Sequence, residues 1–225
     1  MFKVKVFITK LIHGEYSFQY VDLFRKNGLR SPFLRCIKDE FHFHILMFVK
    51  KDPKFKVFET SETIQFGNAI SSLTPDELLK TKGLPFCFNA FMFDKHEVIM
   101  IGYHETIQNT KFKSVYAFAN GVYIMGEYCF TEIKKDNTLS ISKTLIKKYT
   151  SESTESLDKF YIKDKNKNYI YFADNGFDIC VKYFLASDAK SKEIYSIFSN
   201  LILKTDDNNN DIIESKLSEM FWFWL

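Results

Sequence analysis

The chain has 225 residues, 46% of them hydrophobic and 17% aromatic, with 25 Phe against 8 Gly and 4 Pro; this is ample material for a Phe-rich core and argues against disorder. Its 31 basic and 28 acidic residues leave a net charge of +3, too even for a general trap for polyanions. The only Arg residues are at 25, 30 and 35, so the positive charge is mostly Lys, a poor reader of base edges and a poor bidentate clamp for phosphate.

From the amino terminus, Met1 to Ile8 alternates Lys with apolar residues, which predicts an edge strand and lacks the continuous apolar core of a signal peptide. A helix is expected from Glu15 to Asn27, stopped by Gly28. Strand-like runs follow at Phe33–Ile37, Phe41–Val49 and Phe55–Phe58, the last two joined by the turn Lys51-Asp52-Pro53-Lys54. Thr74-Pro75-Asp76-Glu77 places an N-cap threonine, a proline at the first helical position and a glutamate able to close a capping box, so a short helix should run to about Gly83.

From Pro85 to about Leu185 apolar residues repeat at period two between polar turns, the pattern of an antiparallel meander. Phe86–Phe93 should pair with Glu97–Glu105, and Ser114–Ala119 with Val122–Thr131 across Asn120-Gly121, the dipeptide that most favours a type I′ hairpin. Asp136-Asn137 is expected to turn into a strand at Thr138–Ile146, and Thr150–Ser156 to be an exposed loop. Further strands are expected at Phe160–Lys163, Tyr169–Ala173 and Phe177–Leu185, the last two joined by Asp174-Asn175-Gly176. The run Tyr116 to Tyr128, followed by Thr138-Leu139-Ser140-Ile141, resembles lipocalin-like barrels; the resemblance implies an enclosed apolar cavity rather than a catalytic centre.

Beyond Ser187, Ile194, Ile197, Phe198, Leu201 and Ile202 line one face of an expected helix that the polar run Thr205–Asp211 ends. A last helix carries the stripe Ile213, Leu217, Met220, Phe221 and Trp224. Three regions result, 1–84 with strands and short helices, 85–185 with the meander and 186–225 with two helices, expected to pack as one compact domain. The fold class is α+β and β-rich: an antiparallel meander, as an open sheet, a sandwich or a lipocalin-like barrel, with a mixed N-terminal layer and two C-terminal helices. No run reaches the roughly eighteen apolar residues of a membrane span, so the expectation is a soluble, cytoplasmic protein without membrane contact. Cys36, Cys87, Cys129 and Cys180 lie inside apolar runs with no close spacing and are expected to be buried thiols.

Function is weighed among binding and catalysis. The terminus Phe221-Trp222-Phe223-Trp224-Leu225 is apolar on all sides, which points to contact with a protein partner or a second copy unless the tail docks into its own core. The leading expectation is therefore a non-enzymatic protein that binds another macromolecule and needs no cofactor.

Four constellations support catalytic or nucleic-acid alternatives. Glu40, His42 and His44 would share one strand face, and two imidazoles at i and i+2 can chelate a metal ion. Asn120 with Glu132-Ile133-Lys134 twelve residues on resembles the split acidic motif of restriction-type nucleases; it implies a divalent cation, with Glu127 standing in for the aspartate that Asn120 replaces. His104-Glu105-Thr106 is similar to the His-x-Thr element of two-histidine phosphoesterases, though a second copy is missing. Lysines at 163–167 interleaved with Tyr149, Tyr161, Tyr169 and Tyr171 could stack single-stranded nucleic acid.

Overall fold

The computed structural model describes residues 2–29, 33, 43, 55–67, 72–93, 95–107, 110–131, 135–150, 157–174, 176, 178–185, 189, 192–194 and 196–197. In chain order these form α1 (Phe2–His13), α2 (Phe18–Lys26), β1 (Lys56–Thr60), α3 (Pro75–Lys82), β2 (Cys87–Phe93), β3 (His96–Ile107), β4 (Thr110–Ala119) and β5 (Val122–Thr131). Then come α4 (Lys135–Tyr149), β6 (Lys159–Asp164), β7 (Tyr169–Asp174) and β8 (Asp178–Phe184). The strands make one eight-stranded sheet in the order β1-β6-β7-β8-β5-β4-β3-β2. Every neighbouring pair is antiparallel except β1 with β6, which is parallel. Of the three forms the alternation allowed, the open sheet is the one observed, with β1 and β2 at its edges.

Two meanders build this sheet. β2 to β5 runs as consecutive hairpins, α4 crosses over, and β6 to β8 returns so that β8 lies beside β5. The turns obey their local chemistry. Asn120 and Gly121 both take positive φ, 50° and 75°, the type I′ geometry whose twist matches the flanking strands. Asn120 Oδ1 also accepts the Glu97 N–H at 3.0 Å. The α3 cap is as expected: Thr74 and Glu77 form a reciprocal capping box, Pro75 opens the helix and Gly83 ends it. Likewise α2 is capped by Ser17, whose hydroxyl accepts the Tyr20 N–H at 3.2 Å, and ends at Asn27 before Gly28, which has φ 66°.

Four expectations are corrected. Phe43, expected inside a strand at Phe41–Val49, is helical, and the rest of that run lies outside the described residues. Residues 1–8 are not an edge strand, because 2–13 form α1; a window extended to His13 spaces Val4, Phe7, Ile8, Leu11 and Ile12 at helical intervals. Thr138–Ile146 is helix α4, with Ser142, Leu145, Ile146 and Tyr149 buried at i, i+3, i+4 and i+7; Leu139 and Ile141 alone gave too short a period-two pattern. That also removes Thr138–Ile141 from the barrel resemblance. Finally, Cys87 is disulfide-bonded rather than a buried thiol, with its partner outside the described residues, whereas Cys129 and Cys180 are free. Disulfides are the habit of oxidising compartments, so Cys87 does not favour the cytoplasmic setting expected from the sequence.

The sheet buries both faces. On the first, Phe88, Ile101, Tyr116, Phe118, Phe160 and Phe172 meet Val21 of α2, Leu78 of α3 and Leu145, Ile146 and Tyr149 of α4. On the second, Phe91, Met100, Val115, Ile124 and Phe184 pack with Phe43 and Ile194. The loop after β1 is locked onto the first face in two ways. Phe66, fully buried, lies over Gly126, where a Cβ would sit 2.1 Å from the ring. Asp164 ties the loop to the β6–β7 turn: its Oδ2 accepts the Ile64 N–H at 3.0 Å and the Asn168 side-chain N–H at 2.8 Å. Its Oδ1 accepts the N–H groups of Asn166 and Asn168 at 2.8 and 2.9 Å. Four donors fill the lone pairs of one buried carboxylate.

Candidate interaction surface

Glu40, His42, His44, Glu132, Lys134 and Phe221 to Leu225 all lie outside the described residues. Of the proposed nuclease set, Glu127 and Asn120 are described. Asn120 caps one end of β5, hydrogen-bonded to the Glu97 backbone and 2.9 Å from His96 Nδ1. Thr131 closes the other end, about 30 Å away at ~3.3 Å per residue. Asn120 therefore serves a hairpin. His104 packs against Phe86 in a tilted contact, 3.8 Å between ring centres; burial and the charges of Lys113 and Lys111 push its pKa down.

Glu105, on the opposite face from His104, accepts hydrogen bonds from Lys82 Nζ at 2.7 Å and from the Ser114 hydroxyl, pinning α3 to the sheet. Among the described residues no three of His, Cys, Asp and Glu gather in a way that could hold a metal.

Strand alternation does assemble one polar row on the second face. Register aligns Tyr161 of β6, Tyr171 of β7, Lys182 of β8 and Glu127 of β5, and the next row pairs Cys180 with Cys129. Glu127 and Lys182 are both buried. Burial pushes the Glu127 carboxyl up, against the pull of Lys182 and a hydrogen bond with Cys180. The Cys180 thiol is pushed up by its hydrogen bond with Cys129 and by burial, the reverse of an activated nucleophile. Tyr161 and Tyr171 make a tilted ring contact at 5.2 Å and are buried, while Tyr149 belongs to the opposite face. An open stacking platform for bases is not formed by these tyrosines. The row Tyr161, Tyr171, Lys182 and Glu127 is a buried polar seam, while Cys129 and Cys180 beside it are partly exposed.

Helix α1 is different in kind. None of its residues is buried, yet Phe7, Ile8, Leu11 and Ile12 are exposed by 68%, 47%, 75% and 67% and Val4 by 60%. At 3.6 residues per turn, Val4, Phe7, Ile8 and Leu11 fall opposite Phe2, Val6 and Thr9. That second side is half-buried and attaches the helix to α2, with Phe2 edge-on to Phe24 at 5.6 Å. Lys3 and Lys10 border the apolar stripe along one margin and Lys5 along the other.

A surface helix normally turns its apolar side inward; this one turns it outward. The sequence held the signal, since the spacing i, i+3, i+4, i+7, i+8 is present from Val4, but alternation over the first eight residues concealed it. No family model, curated protein or solved structure matches the chain. Among the described residues no helix is long and apolar enough to cross a membrane.

Proposed function

We propose that this chain is a non-enzymatic binding protein that docks on a partner through α1. The observation that carries this reading is the outward apolar stripe Val4, Phe7, Ile8, Leu11 and Ile12 on a helix fastened by its opposite side. Contiguous exposed apolar surface on a folded domain marks contact sites, and each such side chain loses about 1.5–3 kcal/mol of transfer free energy while it stays in water. Catalysis receives no comparable support, because Glu127 and Lys182 are buried and the Cys180 thiol is pushed up rather than activated. The aromatic end, Phe221 to Leu225, is read as a second contact of the same kind.

A photo-crosslinking amino acid placed at Leu11 in the full chain tests the reading, with the same group at the polar position Lys111 as control. Intermolecular adducts at Leu11 and not at Lys111 are expected. A crosslink from Leu11 to its own chain alone would mean that the stripe is covered internally and would overturn the proposal.

A further inference from the structure

We infer that the partner of α1 is an anionic lipid surface, on which the helix lies flat; the inference rests on reading α1 as the docking element. The charge distribution decides among occupants. Phe2 to His13 carries Lys3, Lys5, Lys10 and His13 and no acidic residue. Lys10 is paired with Glu15, while Lys3 and Lys5 form no ion pair among the described residues.

Their position is costly for the helix itself. Lys3 and Lys5 occupy the first turn, the positive end of the helix dipole, where a carboxylate stabilises and an ammonium does not. Helix stability therefore does not account for them, whereas an opposing negative surface does. A second copy is the poorer occupant, because stripe-to-stripe packing brings the Lys3 and Lys5 ammoniums of two helices together, and the helix carries no acid to offset them. A protein groove would have to receive a single convex helix. A lipid surface needs only what is present, an apolar side of five residues, Val4 to Ile12, that sinks to the acyl boundary with lysines on both margins at headgroup level.

The sequence-based expectation of no membrane contact rested on spanning length and on a C-terminal helix whose polar face is not rich in Lys or Arg, and neither ground bears on α1. Helix α1, at 12 residues, is about 18 Å long and suited to lying on a bilayer rather than crossing it.

The test is flotation of the full chain with phosphatidylcholine vesicles, with and without a third of the lipid as phosphatidylserine. Binding to the anionic vesicles, at least tenfold weaker to phosphatidylcholine alone and reduced at about 0.5 M salt, is expected. Lys3→Gln/Lys5→Gln should weaken it by roughly 25-fold, about fivefold per lysine, and Phe7→Glu/Leu11→Glu should abolish it while the far-ultraviolet circular dichroism is unchanged.

No binding to the anionic vesicles, or binding that survives Phe7→Glu/Leu11→Glu, overturns the lipid inference. If vesicles fail but Leu11 still crosslinks to another chain, the lipid assignment falls and the docking role of α1 stands. If both fail, the docking role falls too.

Discussion

Gly126→Ala probes the packing that joins the post-β1 loop to the sheet. The added methyl would lie 2.1 Å from Phe66 Cδ1 and 2.2 Å from Cε1, where carbon atoms prefer about 3.5–4.0 Å. The ring would have to retreat by roughly 1.5 Å to reach that separation. It has nowhere to go: Phe66 is fully buried, with Tyr128, Tyr116 and Tyr183 rings at 4.4, 4.8 and 5.2 Å. Overpacking costs about 1–3 kcal/mol, and a site this enclosed belongs at the upper end, about 3 kcal/mol. For a chain of this size that lowers the melting temperature by about 10 °C.

Phe66→Ala alone should cost about 4 kcal/mol through the cavity it leaves. In the double variant the methyl added by Gly126→Ala enters vacated space, so the total should stay near 4 kcal/mol rather than the additive ~7. Urea unfolding of the four proteins measures the coupling. Additivity within about 0.5 kcal/mol, or a neutral Gly126→Ala, would refute the contact.

Three further outcomes are expected. The Tyr123 hydroxyl is buried with no hydrogen-bond partner among the described residues, so Tyr123→Phe should be neutral or stabilising by about 1 kcal/mol in denaturant titration; a loss above that would reveal a partner. Asp164→Ala strands four donors, including the Ile64 N–H, and should cost about 3 kcal/mol, with hydrogen exchange accelerating at Ile64 and Asn168. The Glu127 carboxyl is pushed up by burial, so the native state holds its proton more tightly than the unfolded chain. Its contribution to stability therefore declines as pH rises past the unfolded value of about 4.3. Glu127→Gln should gain on the parent between pH 4 and pH 7 in unfolding midpoints, and a relative loss over that range contradicts the assignment.

What could be read from the sequence was whatever is decided within a few residues. The capping box of Thr74 and Glu77, the stop at Gly28 and the Asn120-Gly121 turn depend on local backbone chemistry, and the hairpins β2–β3 and β4–β5 follow from alternation plus turns. Short alternating stretches failed where a longer window obeys the helical period: Lys-Val-Lys-Val opens α1 and Leu139-Ser140-Ile141 lies within α4. Long-range partnerships were beyond reach. The parallel pairing of β1 with β6 joins Phe58 to Ile162, and the burial of Glu127 against β8 depends on a crossover that no local pattern encodes. Helix α1 falls in the second group: its spacing was visible, but only its seating on α2, with Phe2 edge-on to Phe24, shows which side faces out.

Equilibrium urea unfolding of the Phe7→Glu/Leu11→Glu variant tests the outward stripe most directly. Because both side chains stand in water, the variant should unfold within about 0.5 kcal/mol of the parent, as exposed substitutions do. A loss of about 3 kcal/mol or more, the cost of placing carboxylates in a core, would show that α1 is buried in the folded protein and that its stripe docks on nothing.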